Sequence, residues 1–203
     1  MKNIKKKDLE IKLEKVPYHP NPSPDLEQYN TPASLASDVL FTAFVNGHIK
    51  GEEIIDLGCG TGIFSLGAGL LGAESVVGFD IDKDSIETAR RLADEWGLEG
   101  KVSFEKKDIS QVESSCDTVI MNPPFGSQKK GADVPFLEKS FKISDYVYTI
   151  HNAKTLDFLR KFITKENHEI FLESGYKFTV KKTFDFHTKD KKDFDVVIFG
   201  IKV

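Results

Sequence analysis

Apolar positions along this chain follow two rhythms. Short, nearly unbroken apolar runs, "EEIIDLG" at 52–58, "SVVGFDI" at 75–81, "CDTVIMN" at 116–122 and "ISDYVYTIH" at 143–151, read as strands, and "KVSFEKKD" at 101–108 adds another. The near-continuous run at 116–122 suits a strand covered on both faces. Between them lie helical patterns at 63–71, at 84–96 and in "AKTLDFLRKFITK" at 153–165. In the second of these, Ile86, Ala89, Leu92 and Ala93 fall inward, Asp84 is the expected cap and Gly97 the stop. Upstream, residues 16–32 hold five prolines and predict an extended, irregular lead-in. "TPASLASDVLFTAFVNGHI" at 31–49 then reads as a helix, with Thr31 as its cap, Pro32 in its first position, and Leu35, Val39, Leu40 and Phe44 along one side. The end of the chain differs. "GYKFTVKKTFDF" and "DFDVVIFGIKV", joined by the charged "HTKDKK", predict a hairpin.

Strand–helix alternation closed by a hairpin predicts an α/β protein, a mostly parallel sheet with helices on both faces. Ligands of such sheets sit at the carboxyl ends of the strands, near the point where strand order reverses. The chemically suggestive residues fall at such ends. "DLGCGTG" follows the first strand, and Gly58, Gly60 and Gly62 allow a tight turn and close approach of a ligand. The Gly-x-Gly-x-Gly spacing departs from the dinucleotide Gly-x-Gly-x-x-Gly fingerprint and argues against a nicotinamide dehydrogenase. Asp80, in "FDID" at the tip of the second strand, is placed for the two hydroxyls of a ribose. Asp82 and Asp84 are left to capping or solvent. Asp108 ends the third strand and can accept from an adenine amino group, with Ile109 offering its amide and an apolar contact.

"NPPF" ends the fourth strand. Pro123 and Pro124 lack amide protons and stiffen the chain. An exocyclic NH2 group is a poor nucleophile because its lone pair is delocalised. Two acceptors, the Asn122 side-chain oxygen and the Pro123 carbonyl, would take both of its protons and favour a nitrogen becoming tetrahedral. Phe125 would stack on the base, a contact worth about 1–3 kcal/mol.

Composition narrows the classes. The chain has 203 residues, 39% hydrophobic and 30% charged, which is ordinary globular material able to bury one sizeable core. No run of about 18 apolar residues predicts a membrane span, and the basic start lacks the apolar stretch of a secretory signal. Cys59 and Cys116 form no paired spacing, so neither a disulfide framework nor a metal site is expected within the chain, and a reducing cytoplasm fits. A net charge of -4 is unlike a typical phosphate binder. Lysines nevertheless cluster at Lys5, Lys6 and Lys7, at Lys129 and Lys130, at Lys181 and Lys182, and at Lys189, Lys191 and Lys192. Each cluster alone reads as a solvated face.

"DLGCGTG", "FDID" and "NPPF" in this order resemble the S-adenosylmethionine-dependent amino-methyltransferases of the seven-stranded, Rossmann-like class I fold. "LEQYNTPASLA", "DLGCGTGIFSLGAGLLGAESVVGFDID", "MNPPFGSQKKGADVPFL" and "YVYTIH" narrow the resemblance to the methyltransferase-like protein 5 group and its archaeal relatives, over nearly the whole chain from about Leu9. The resemblance implies a single methyltransferase domain over 1–203, with 1–49 closing over the cofactor and 50–203 as the catalytic core. It implies methylation of N6 of an adenosine in small-subunit ribosomal RNA, with S-adenosylmethionine as donor and S-adenosylhomocysteine as product. Gln28 and Thr31 would contact the cofactor from the lid. Asp56, Gly58, Gly60, Thr61, Gly62 and Ile63 would line its methionine side, Asp80 and Ile81 its ribose, and Asp108 and Ile109 its adenine. Asn122, Pro123, Pro124 and Phe125 would hold the target base, with Asn122 also bordering the cofactor. Residues 126–133 would form a loop near the substrate, with Lys129 and Lys130 facing phosphates. Thr61 stands where some relatives carry Cys, which leaves a backbone contact unaffected. The group works with a small zinc-binding activator subunit that adds a strand to a sheet edge, here expected at the third strand. The same amide acceptors would suit a glutamine side chain of a protein, such as a translation factor. Phe125 and the lysine-rich flanks favour a nucleobase. His151 and Trp96 are expected to play structural parts.

Overall fold

The computed structural model describes residues 4–19, 31–125, 131–181 and 191–203. Its elements run α1 (Lys6–Leu13), α2 (Ala33–Val45), β1 (Glu53–Leu57), α3 (Ile63–Leu71), β2 (Ser75–Asp80), α4 (Lys83–Glu95), β3 (Val102–Lys106), β4 (Cys116–Met121), α5 (Val134–Ile143), β5 (Ser144–Asn152), α6 (Leu156–Lys165), β6 (Glu169–Lys181) and β7 (Lys191–Lys202). Seven strands form one sheet in the order β3-β2-β1-β4-β5-β7-β6. The first five are parallel, and β7 enters antiparallel between β5 and β6. The expected α/β architecture with its terminal hairpin is the one observed.

Alternating strand residues divide the core into two layers. Ile54, Val76, Ile120, Tyr148 and Ile150 face one layer, which also takes Leu9 and Leu13 of α1 and Leu35, Val39 and Leu40 of α2. Ile55, Phe79, Val119, Met121 and Val147 face the other, which takes Leu137 of α5 and Leu159 and Ile163 of α6. Burial of each large aliphatic side chain contributes about 1.5–3 kcal/mol. Trp96 packs beside the first layer with the Lys12 ammonium 4.4 Å from its ring centre, a structural part as expected.

Several local expectations are corrected. Thr31 does not cap α2, whose N-cap position is Pro32 and carries no side-chain cap. The Thr31 hydroxyl instead meets Asn122. Asp82, not Asp84, caps α4 by accepting from the Ser85 amide at 2.7 Å, while Asp84 lies within the first turn. The predicted 153–165 helix opens with a 3-10 turn (Ala153–Thr155) before α6. β6 begins six residues before "GYKFTV", at Glu169. α1 and α5 went unassigned in the sequence. α1 is mostly charged and buries only Leu9 and Leu13, so its helical pattern is faint. Of the lysine clusters, Lys6 forms an ion pair with Asp38. The side chains of the other three clusters lie outside the described residues.

Candidate functional site

The β1 and β4 tips meet at the reversal of strand order. Leu57 pairs with Phe79 of β2 on one side and with Met121 of β4 on the other. The chain leaves β1 into the glycine turn beside the place where β4 runs into Asn122. Gly58 and Cys59 donate to the Phe79 carbonyl at 2.8 and 3.0 Å, which ties the turn to β2. Gly62 has φ +91°, and a Cβ there would lie 2.8 Å from the Phe104 ring. Gly60 has φ +53° with open space above it, so a ligand can approach its backbone.

Three carboxylates stand at the carboxyl ends of β1, β2 and β3, each already engaged. Asp56 Oδ2 accepts from the Ser65 amide at 3.0 Å and from its hydroxyl at 2.6 Å, satisfying a donor in the first turn of α3. Its Oδ1 is buried without a partner. Burial pushes this carboxyl up to about 7, against the downward pull of the Ser65 hydrogen bonds. Asp80 accepts from the Gly60 amide at 2.8 Å and the Asp82 amide at 2.9 Å, one on each oxygen. Burial raises its pKa, and those two amides oppose the rise. Each oxygen retains a second lone pair for a hydroxyl. Ile81, next to it, is 45% exposed and offers an apolar surface. Asp108 Oδ1 accepts from the Ser110 amide and hydroxyl at 2.8 and 2.6 Å, which lowers its pKa. Its other oxygen faces no described donor and Ile109 follows it on the same 3-10 turn.

A short strap crosses the turn. The Thr61 hydroxyl donates to the Pro17 carbonyl at 2.9 Å, and His19 Nε2 lies 2.9 Å from Asp82 Oδ1. Ile63 and Thr31, together with Tyr18, Leu13 and Glu10, line a cavity of about 280 Å³ beside it. Sequence reasoning missed Pro17 and His19, because a proline-rich lead-in carries no periodic signal of where it docks.

Across the reversal point the Asn122 amide nitrogen donates to the Thr31 hydroxyl at 2.9 Å, while Asn122 Oδ1 is buried with no partner among the described residues. Pro123 is buried, and Phe125 is half-buried against the core with its ring 6.0 Å from that of Phe194. The structure therefore places Asp56, the glycine turn, Thr61, Ile63, Asp80, Ile81, Asp108, Ile109 and 122–125 at the carboxyl ends of the parallel strands, with Thr31 joined to Asn122 there. Gln28, Lys129 and Lys130 lie outside the described residues. His151 lies enclosed within β5, with hydrogen-bond partners at both ring nitrogens.

A glycine turn thus follows the first strand, acids stand at the next two strand tips and an amide follows the fourth. Residues 48–167 match the methyltransferase domain family, so the chain is a methyltransferase-domain protein. An uncharacterized protein of Methanocaldococcus jannaschii is 40% identical over 98% of this chain and 94% of its own length. The rRNA N(6)-adenosine-methyltransferase METTL5 of Danio rerio is 32% identical over 95% of this chain and 96% of its own. A solved structure from Pyrococcus horikoshii, described as a candidate RNA methyltransferase, superposes with a TM-score of 0.91 at 40% identity, covering 98% of both chains. The chain belongs to the METTL5-like family of methyltransferases.

Proposed function

We propose that this chain transfers a methyl group from S-adenosylmethionine to N6 of an adenosine in RNA, with small-subunit ribosomal RNA as the substrate. The observation that carries the reading is the buried, unpartnered Oδ1 of Asn122 beside the glycine turn. A buried acceptor without a donor costs about 1–3 kcal/mol, so it calls for an NH donor that arrives with a ligand. The METTL5 relative acts on adenosine of rRNA by its name, which fits an exocyclic NH2 as that donor.

The residues present fit the cofactor. Open space above Gly60 accepts a ligand against the backbone, Asp80 has lone pairs left for a ribose diol, and Asp108 with Ile109 suits an adenine. The orphaned Asp56 Oδ1, near the turn, suits an ammonium group. When bound, S-adenosylmethionine supplies an electrophilic methyl group. Asn122 Oδ1 and the Pro123 carbonyl accept the two protons of the target NH2 and so favour the pyramidal nitrogen of the transition state. Thr31 holds the other end of the amide, which directs Oδ1 at the base. Phe125 stacks on the base from a position braced by Phe194. A base gripped on this edge and face must leave its helix or be unpaired. Gln28 would add a contact to the cofactor, and Lys129 and Lys130 would meet phosphates.

Residues 1–49 act as the cover of a single domain over 1–203, with 50–203 as catalytic core. The contacts Thr61–Pro17, His19–Asp82 and Asn122–Thr31 support this division. A small zinc-binding activator would add a strand at β3, which pairs only with β2 and lies at the sheet edge. The described helices include none long and apolar enough to cross a membrane, and an rRNA substrate suits action in the cytoplasm. Methylation of ribosomal RNA with labelled cofactor, followed by digestion to nucleosides, tests the reading. Labelled N6-methyladenosine is the expected product, and label found only in protein would overturn it.

A further inference from the structure

Asn122 is held from one face of the sheet by Thr31, but the segment that follows it must also be fixed from the other. Met121 pairs with Thr149, so β5 runs on past the end of β4, beneath the start of 122–125. By strand alternation Thr149 and His151 share the face of Val147 and Met121, opposite to Asn122. There, His151 is 1% exposed, with Nδ1 2.9 Å from Asp133 Oδ2 and Nε2 2.9 Å from the Thr149 hydroxyl. A carboxylate only accepts, so in the neutral imidazole Nδ1 carries the proton and Nε2 accepts from Thr149. Asp133 occupies the N-cap position of α5, where an Asp ordinarily accepts from the helix's own first amides. It makes no such bond and is 5% exposed, turned instead toward His151. The group that would cap the helix is used to tie the start of α5 to β5.

We propose that Asp133, His151 and Thr149 form a positioning relay for methyl transfer, tying the start of α5 to β5 where Thr149 pairs with Met121 and so fixing the end of β4 that carries Asn122. None of the three touches substrate or cofactor in this reading. The relay rests on the methyl-transfer reading and acts on how closely the target nitrogen approaches the methyl group. A displacement of about 1 Å there can cost about a hundredfold in rate.

The test is a series at position 151 in the full chain, measuring kcat, KM for RNA, cofactor Kd and Tm. An Asn side chain can place its NH2 near the position of Nδ1, whereas Gln reaches toward Nε2. His151→Asn should therefore retain most of kcat. His151→Gln and His151→Ala should lose about tenfold or more, and all three should keep cofactor Kd within about twofold. Asp133→Ala should match His151→Ala, with no further loss in the double variant, because both remove one link. Asp133→Asn, which can still accept from Nδ1, covers the case in which a truncated variant does not fold, and should stay near wild type. A loss of kcat that follows Tm across the series, with His151→Asn no better than His151→Gln, would overturn the relay, as would an unchanged kcat in His151→Ala. If wild-type enzyme labels protein instead of RNA, the functional reading fails by itself, and the same ordering measured on that acceptor still decides the relay.

Discussion

The two halves of the site, on either side of the β1–β4 boundary, are built in opposite ways. On the β1–β3 side every named acid already holds backbone or hydroxyl donors: Asp56 with Ser65, Asp80 with Gly60 and Asp82, Asp108 with Ser110. That half is a cradle largely prepared before any ligand, although Asp56 Oδ1 is buried with no partner among the described residues. On the β4–β5 side the central acceptor, Asn122 Oδ1, is buried and unpaired, and its amide is steadied from another element by Thr31. The first half should therefore govern affinity for cofactor, and the second the rate of transfer. Interactions completed only as the reaction proceeds raise kcat, whereas those present throughout raise affinity.

The sharpest break of this comparison is Asn122→Ala. It removes an acceptor that acts mainly in the transition state, so kcat should fall by about 10²–10³-fold while cofactor affinity holds within about threefold. Single-turnover kinetics with titration calorimetry would check both. Asp80→Ala should do the reverse. Losing hydrogen bonds to a charged group should raise cofactor Kd by about 10–100-fold, with kcat at saturating cofactor little altered. Equal changes in Kd and kcat for either variant would erase the distinction between the halves. Thr31→Val keeps the shape and removes the partner of the Asn122 amide. It should lower kcat by about tenfold or less, which steady-state kinetics would resolve.

The remaining expected effect is on stability. Burial moves Asp56 from the ordinary 3.8 up to about 7. A pKa higher in the folded than in the unfolded chain means that the folded state binds this proton more tightly. The resulting stabilisation is complete below the unfolded value and is lost as pH rises through about 7. Asp56→Asn carries no such titration. Its Tm relative to wild type should rise between pH 5 and pH 8, by roughly 5–10 degrees, about what 2–3 kcal/mol gives in a chain of this size. Thermal melts at both pH values would show it, and a difference that stays flat would remove the assigned charge from the cradle.

What could be read in the sequence follows the same division. Five parallel strands, the hairpin and the residues at each strand tip were legible because each sits at a regular element's end, where apolar runs stop and a glycine, acid or amide begins. The glycine turn, Asp80, Asp108 and 122–125 needed only that rule. Asp82 replaced Asp84 as the cap because two acids lie within one turn of the helix start and either satisfies the pattern. The pairing of Thr31 with Asn122 could not be read, since the two lie 91 residues apart and no local pattern encodes it. The pairing of His151 with Asp133 was hidden for the same reason: the two lie 18 residues apart on β5 and at the start of α5. α5 was overlooked beside the loop that precedes it, although Leu137 and Ile143 give it a buried side.

The most direct test of the central claim is methyl transfer from labelled S-adenosylmethionine to small-subunit ribosomal RNA, with digestion to nucleosides, comparing wild type with Asn122→Ala. The proposed zinc-binding activator subunit is supplied if the chain alone is inactive. The account predicts N6-methyladenosine from wild type, and almost none from the variant although it still binds cofactor. Full transfer by Asn122→Ala, or label that appears in a glutamine of protein and never in RNA, would contradict it.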